Sequence, residues 1–341
     1  MNWEQRWECQ TPPAFLRGLA WLYARGWHLY ESLYRLKLKR RVQLPVPIVG
    51  VGSLRVGGAG KTPVAMAITR LLHESGLRVA LLCSGYGGRR FNTTTLLEPG
   101  MQPDPLEVGD EAVEALHTLK EIPIAVGRRR VAVAHAALHR WQPDVLVLDD
   151  GFQHLPLART VDLVVLPAES PFGNGYCLPA GPLREPPAGL RRADALLLTR
   201  SPSTPPPSIT HPALSRMPTF EAIIEPEGLE ELISGRMLPP DALKGQAVIA
   251  LTAIARADRF LQLLKQLGMQ VSEARLFPDH YPFAREQWDW TRGRTLVMTA
   301  KDAVKLRTRL PTDCHAFALR IRAYLEPAFC NWLRERLPCA V

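Results

Sequence analysis

Two clusters of polar residues in the first half of the sequence have the types and spacing needed to handle a nucleoside triphosphate. The first is the glycine-rich run GGAGKT at residues 57–62. In such a loop the glycine backbone wraps around phosphate oxygens, the lysine reaches the β- and γ-phosphates, and the threonine hydroxyl can bind Mg²⁺. The strict pattern has glycine where this chain has Arg55. The predicted nucleotide-binding residues are Arg55, Val56, Gly57, Gly58, Ala59, Gly60, Lys61 and Thr62.

The second cluster is the aspartate pair Asp149 and Asp150, which follows the apolar run VLVL at residues 145–148. A carboxylate at the end of a buried strand, downstream of a phosphate-binding loop, is the usual holder of Mg²⁺ on the nucleotide phosphates. Adjacent strand residues point to opposite faces, so at most one of the two should bind the metal directly. An aspartate pair can also simply end a strand, but the upstream loop favours the metal role. The predicted metal ligands are Thr62, Asp149 and Asp150.

Hydrophobic patterning predicts the elements that must position these residues. Short runs rich in valine, isoleucine and leucine are typical of strands buried on both faces. They occur at residues 46–52, 77–83, 122–126, 144–148, 161–166 and 195–198, and helical spacing separates several of them. This alternation predicts a P-loop NTPase-like α/β fold, with a mostly parallel sheet and helices on both faces.

The rest of the chain repeats the α/β alternation on a smaller scale. We predict strands at residues 246–251, 271–277, 295–299 and 315–319, and helices at 258–267 and 325–337. A proline-rich run, SPSTPPPS at residues 201–208, is typical of an extended linker. The predicted segments are an amphipathic helix at 1–41, a nucleotide-binding domain at 42–200, a linker at 201–215 and a smaller α/β domain at 216–341.

The N-terminal segment has the pattern of a basic amphipathic helix. Its apolar face would carry Phe15, Leu19, Leu22, Gly26, Leu29, Leu33 and Leu36, and the run KLKRR follows at residues 37–41. No uncharged run approaches the roughly 20 apolar residues of a spanning helix. The pattern suits the surface of an anionic bilayer. An ordinary helix packed on its own domain fits equally well.

Composition narrows the class of protein and its environment. The 341 residues carry a formal charge of +9, which favours an anionic partner such as nucleic acid, anionic lipid or a phosphorylated substrate. The six cysteines are scattered without a CxxC motif, as expected in a reducing compartment and not for a disulfide framework or zinc site.

Seven sequence blocks together resemble the tetraacyldisaccharide 4'-kinases, the lipid A 4'-kinases of Gram-negative bacteria. The resemblance covers nearly the whole chain. The blocks are VGGAGKTP at residues 56–63, GYGG at 85–88, VGDE at 108–111, DDGFQH at 149–154, FGNGYCLPAGPLRE at 172–185, FPDHY at 277–281 and TAKDAVK at 299–305.

The resemblance implies an enzyme that uses ATP and Mg²⁺ to phosphorylate the 4'-hydroxyl of a tetraacylated glucosamine disaccharide 1-phosphate. It would act as a peripheral protein at the cytoplasmic face of the bacterial inner membrane, without a nucleic-acid partner. In this family the proposed base is an aspartate paired with a histidine, which fall on Asp110 and His280. The expected catalytic residues are Asp110, His280 and Lys61, and the expected substrate contacts are Glu111, His154 and Asn174.

The residues by themselves leave other interpretations open. Asp110 precedes a predicted helix, so helix capping is its simplest role. A P-loop kinase or ligase of a soluble metabolite would explain the first domain but not the basic aromatic helix. A nucleic-acid-dependent NTPase would use the positive charge, yet the basic residues lie beside an apolar face and not in a groove with stacking aromatics.

Overall fold

A single mixed sheet of 13 strands organises the computed structural model, which describes residue 7, residues 11–205, residue 214 and residues 217–337. The strands are β1 (Ile48–Gly52), β2 (Val79–Cys83), β3 (Thr95–Leu97), β4 (Ile124–Val126), β5 (Val145–Asp149), β6 (Val161–Pro167), β7 (Ala195–Arg200), β8 (Thr219–Glu231), β9 (Met237–Leu238), β10 (Ala247–Thr252), β11 (Gln270–Leu276), β12 (Thr295–Thr299) and β13 (His315–Leu325). The α-helices are α1 (Ala14–Arg35), α2 (Lys61–Glu74), α3 (Pro105–Val108), α4 (Asp110–Leu119), α5 (Arg130–Trp141), α6 (Ala257–Gln266), α7 (Ala300–Leu306) and α8 (Pro327–Arg334).

The order of the strands across the sheet is β11-β10-β12-β13-β8-β7-β6-β1-β5-β2-β4-β3, with β9 paired to β8. Pairing is parallel from β8 through β7, β6, β1, β5 and β2 to β4, and again among β10, β11, β12 and β13. The β13–β8 and β4–β3 pairs are antiparallel. The predicted fold class, a mostly parallel sheet with helices on both faces, is confirmed.

The sheet continues across the predicted domain boundary, because β7 and β8 pair in parallel with Leu196 opposite Thr219. Most of the predicted linker lies outside the described residues, namely residues 206–213 and 215, and so does residue 216 next to it. The division into a nucleotide-binding domain and a smaller domain therefore stays a prediction. Helices α2, α4 and α8 share one apolar core with the first half of the sheet, and α5 packs on its opposite face.

Helix α1 packs on the protein with a different face from the one the sequence pattern emphasised. Its small residue Ala20 is 3% exposed and lies in a core cluster with Phe152 and Leu183, against which Leu16 and Ala24 also pack. Most of the predicted apolar face is left in solvent, with Phe15, Leu19, Leu22, Leu29 and Leu36 between 48% and 68% exposed. Residues 1–6 and 8–10 of the predicted N-terminal segment lie outside the described residues.

No helix within the described ranges is both long enough and apolar enough to cross a membrane.

Candidate active site

The phosphate-binding loop and the aspartate pair meet at the carboxyl ends of two neighbouring parallel strands. Val51 of β1 lies opposite Asp149 of β5. The Thr62 hydroxyl donates a hydrogen bond of 2.9 Å to Asp149 Oδ2, and Lys61 Nζ lies 3.6 Å from Asp150 Oδ1. The sequence predicted that Lys61, Thr62, Asp149 and Asp150 form one site, and the structure brings these four residues together.

The turn of the loop depends on glycine at three positions. Gly57, Gly58 and Gly60 have φ values of 63°, 61° and 75°, in the left-handed region that other residues enter at a cost. A Cβ at Gly60 would also lie 2.6 Å from Ile224 Cδ1. Arg55 is buried, and its guanidinium donates a hydrogen bond to the Ser170 carbonyl, so it ties the loop to the segment that follows β6.

Asp149 has the environment of a magnesium ligand. Its side chain is buried, and Oδ1 has no hydrogen-bond partner among the described residues. Burial and the nearby charges of Glu111 and Asp150 raise the pKa of Asp149 to about 7. A buried carboxylate oxygen left open beside a threonine hydroxyl is a pair of hard oxygen donors that suits Mg²⁺. Within the described chain no group of three or more acidic, histidine or cysteine side chains could hold a metal alone. Phosphate and water oxygens would complete the shell.

Asp150 instead pairs with positive side chains. Arg184 Nη1 donates to both of its carboxylate oxygens, at 2.7 and 2.8 Å, and Lys61 approaches from the loop. Burial alone would raise the pKa of Asp150, but Lys61 and Arg184 outweigh it and hold the pKa at about 2. Asp150 has a φ of 53°, which turns its side chain away from the direction of the strand. The geometry thus favours Asp149 as the metal ligand and Asp150 as the anchor of the two cations.

A second polar cluster joins residues far apart in the sequence. His280 Nδ1 lies 3.1 and 3.2 Å from the two oxygens of Asp110, and Lys305 Nζ lies 3.3 Å from Asp110 Oδ2. Burial would raise the pKa of Asp110, but the hydrogen bond to His280 and the charges of Lys301 and Lys305 lower it to about 2. The carboxylate is therefore ionised throughout the neutral range.

Lys301 fixes the orientation of the imidazole. Its Nζ lies 3.1 Å from His280 Nε2 and 3.3 Å from Glu111 Oε1. Burial lowers the pKa of His280, and the hydrogen bond to Asp110 raises it above the usual value. A lysine ammonium can only donate hydrogen bonds, so Nε2 accepts from Lys301 and the Nδ1 hydrogen points to Asp110.

Asp110 does not occupy the N-cap position, so the helix-capping interpretation is wrong. Gly109 occupies the N-cap position, and Asp110 is the first residue of α4. Its Oδ1 accepts one hydrogen bond of 2.9 Å from the Glu111 N–H, while the rest of the carboxylate faces His280 and Lys305. The position at the start of a helix serves to aim the side chain at the second half of the protein.

The remaining predicted substrate residues have different surroundings. Glu111 contributes to the raised pKa of Asp149 and also contacts Lys301, so it lies between the two polar clusters. His154 Nε2 is buried without a described partner, and burial with Arg130 and Arg159 nearby lowers the pKa of His154 to about 4. Asn174 uses its amide in a loop, donating to the Ala180 carbonyl and accepting from the Tyr176 N–H.

Four cations in these clusters were not among the site residues predicted from the sequence. Arg184, Lys301 and Lys305 lie in motif blocks, but the sequence did not indicate their partners. Arg130, the last of three consecutive arginines at residues 128–130, is buried, and its Nη2 donates a hydrogen bond of 2.8 Å to the Asp149 carbonyl. An arginine run signals a basic loop, but only the fold decides which member turns inward.

Comparison with known proteins agrees with these observations. A profile of the LpxK family, described as tetraacyldisaccharide-1-P 4'-kinase, matches residues 13–338. The chain belongs to this family. A tetraacyldisaccharide 4'-kinase of Dechloromonas aromatica is 38% identical over 326 residues, covering 94% of this chain and 92% of the relative. One from Anaeromyxobacter sp. (strain Fw109-5) is 37% identical over 316 residues, covering 89% and 85%.

A solved structure shares the fold at similar coverage. A crystal structure of an Aquifex aeolicus LpxK, described as an apo form in complex with ATP, superposes with a TM-score of 0.81 at 31% identity, over 95% of this chain and 99% of that chain. The family assignment confirms the predicted enzyme class, a 4'-kinase of the tetraacyldisaccharide precursor of lipid A. The roles of individual residues and the membrane contact stay predictions.

Proposed function

We propose that this kinase transfers the γ-phosphoryl group of ATP to the 4'-hydroxyl of tetraacyldisaccharide 1-phosphate, with Asp110 as the base and α1 as the membrane contact. The observation that carries the base assignment is the 3.1 Å contact between Asp110 Oδ1 and His280 Nδ1. It lies beside Glu111, whose charge reaches Asp149 in the phosphate site. Donor and acceptor would therefore meet between the two clusters.

The donor half of the site is built to hold and neutralise a triphosphate. Lys61 and the backbone amides of the loop would cradle the β- and γ-phosphates, and α2 begins at Lys61 with its positive dipole end towards them. Thr62 and Asp149 would hold Mg²⁺, which when bound neutralises charge on the phosphate oxygens. Asp150 keeps Lys61 and Arg184 at this edge of the sheet.

The acceptor half supplies a place for the proton. A sugar hydroxyl becomes acidic only as its oxygen bonds to phosphorus, so the base acts late and need not be strong. Asp110 is ionised at neutral pH and can accept that proton, while His280 fixes its orientation. Lys305 is 4% exposed and balances the buried negative charge until the proton arrives.

Helix α1 supports a peripheral contact with the cytoplasmic face of the inner membrane. Its exposed residues Phe15, Leu19, Leu22, Leu29 and Leu36 would enter the boundary between head groups and acyl chains. The exposed run KLKRR at residues 37–41 follows directly, and each such charge contributes about 1 kcal/mol at an anionic surface. Because the acceptor carries four acyl chains, an enzyme at this surface meets its substrate where the chains already lie.

Two measurements test these parts separately. Transfer of ³²P from labelled ATP to the disaccharide 1-phosphate in mixed detergent micelles tests the chemistry without a bilayer. Sedimentation with vesicles tests the membrane contact, and we expect binding to phosphatidylglycerol vesicles but not to phosphatidylcholine vesicles or polynucleotide at the same salt. Equal binding to polynucleotide would contradict the membrane role.

A further inference from the structure

Three polar side chains on one face of helix α1, its inner face, contact residues 184–192, a segment that includes Arg184 of the active site. Tyr23, Trp27 and Glu31 are spaced four residues apart and so lie on one side of the helix. The Tyr23 hydroxyl donates a hydrogen bond of 2.8 Å to the Arg184 carbonyl, and Trp27 Nε1 donates one of 2.9 Å to Glu185 Oε2. The Glu31 carboxylate, which is buried, pairs with Arg191 and Arg192.

Glu185 is the centre of this contact. It is 0% exposed, and three donors surround its carboxylate: Trp27 from α1, Arg192 at 2.7 Å and Gln153 at 2.8 Å. Gln153 also donates 2.9 Å to the carbonyl of Ser53, which follows β1. Glu185 thus joins α1 to the loop after β5 and to the start of the phosphate-binding loop. A buried carboxylate keeps one orientation only while its donors hold it.

Arg184 provides a second connection from the same helix. Its carbonyl accepts from Tyr23, its backbone N–H donates 2.7 Å to the Leu54 carbonyl, and its guanidinium holds Asp150. A shift of the Arg184 backbone would therefore move the group that orients Asp150 and, through Asp150, Lys61.

We propose that α1 is part of the catalytic structure, with Tyr23 and Trp27 acting as positioning residues that hold Arg184 and Glu185 in register with Asp150 and Gln153. The opposite face of α1, with its exposed leucines, is free for the membrane. The inner face of α1 then holds Arg184 and Glu185 in position beside the phosphate site. This effect persists in detergent, where there is no bilayer. Neither the identity of the base nor the membrane contact is needed for this role.

The decisive comparison uses the same substitution on the two faces of α1. Trp27→Phe removes the donor to Glu185 but keeps an aromatic ring, and Trp21→Phe makes that change at a side chain that is 57% exposed. Small misplacements of a catalytic group cost up to about 10²-fold in rate. We expect Trp27→Phe to lower kcat in mixed micelles by about tenfold, with the KM for ATP and binding to phosphatidylglycerol vesicles unchanged. Trp21→Phe should match the wild type in all three.

A double-mutant cycle separates positioning from general loss of stability. If Trp27 acts through Glu185, the Trp27→Phe/Glu185→Gln variant should be no slower than Glu185→Gln alone. Tyr23→Phe removes only the hydroxyl on the Arg184 carbonyl, so it tests the second connection by itself and does so even if Trp27→Phe does not fold. Its expected loss in kcat is smaller, about threefold. Three results would overturn the proposal: a wild-type kcat in the folded Trp27→Phe or Tyr23→Phe variant, an equal loss in Trp21→Phe, or strictly additive losses of Trp27→Phe and Glu185→Gln.

Discussion

Asp110 and His280 are 170 residues apart in the chain, yet Asp110 Oδ1 and His280 Nδ1 lie 3.1 Å from each other. Asp110 begins α4 on the first half of the sheet, and His280 follows β11 at the far edge of the second half. The backbone N–H of His280 donates to the Ala253 carbonyl, and Asp302 accepts from the Ala253 N–H. Because Lys305 contacts both Asp302 and Asp110, the same network positions the histidine and the carboxylate.

Lys61→Ala should lose turnover while keeping the fold. The variant removes one preorganised positive donor to the phosphates, and loss of such a donor costs about 10²–10³-fold in kcat. Lys265→Ala, at an exposed lysine on α6, is the control and should be as active as the wild type. Phosphoryl transfer is measured at saturating substrate, with circular dichroism to check folding. Near wild-type kcat in folded Lys61→Ala would remove the loop lysine from the mechanism.

The two aspartates should respond differently to magnesium. Asp149→Asn removes a charged ligand, so we expect the Mg²⁺ concentration for half-maximal activity to rise at least about tenfold, by analogy with losses at metal-site partners. Asp150→Asn releases Lys61 and Arg184 and should lower kcat with little change in that concentration. Mg²⁺ titration of both variants measures this. The reverse pattern would make Asp150 the metal ligand.

Glutamates on the outer face of α1 should release the protein from vesicles. Leu22 and Leu29 are 59% and 67% exposed, and burying new charges among acyl chains opposes insertion. The control places glutamates at Ile233 and Met237, which are 64% and 48% exposed on another surface. We expect only the α1 variant to stay in the supernatant after sedimentation with phosphatidylglycerol vesicles. If both variants sediment like the wild type, α1 is not the contact.

The ion pairs of Asp110 should appear in the pH dependence of stability. The pKa of Asp110 in the fold is about 2, below its ordinary value of 3.8. Its stabilisation is therefore complete above about pH 4 and is lost as the pH falls through 2, and it amounts to about 2 kcal/mol. Denaturant unfolding of the wild type and of Asp110→Asn should show a difference in free energy that stays constant from pH 7 to about pH 4 and narrows as the pH falls from about 4 to 2. A difference that stays constant over the whole range would mean that the carboxylate is not held by charge.

The sequence predicted the parts of the site that lie on local patterns. Glycines before Lys61 and the apolar run before Asp149 report on a loop and a buried strand, and neighbouring parallel strands then bring the two together. The strand β8 (Thr219–Glu231) was missed. Its charged residues and Pro226 break the apolar pattern. Hydrogen-bonded pairing with β13 stabilises the strand across a register shift near Gly228. Local patterning carries no such information.

Contacts between side chains far apart in the sequence could not be predicted from local sequence patterns either. The inner face of α1 uses the small residues Ala20 and Ala24 and the polar edge of Trp27, so the leucine-rich stripe indicated the wrong packing face. The partners of Lys305 depend on where α7 lies against α4, which no local spacing encodes. For Asp110, the family resemblance supplied the pairing with His280 that the residues alone did not.

The role of Asp110 is tested most directly by single-turnover kinetics of Asp110→Asn. Asparagine keeps the size of the side chain but cannot accept the proton. Asp104→Asn is the matched control, because Asp104 is a genuine helix cap, accepting from the Leu106 N–H at 2.9 Å, and asparagine caps nearly as well. We predict that Asp110→Asn binds ATP normally and loses at least about 10²-fold in the rate of phosphoryl transfer. His280→Ala added to it should cost little more, whereas Asp104→Asn should keep the wild-type rate. An Asp110→Asn enzyme that is folded, binds ATP and keeps most of its rate would contradict Asp110 as the base.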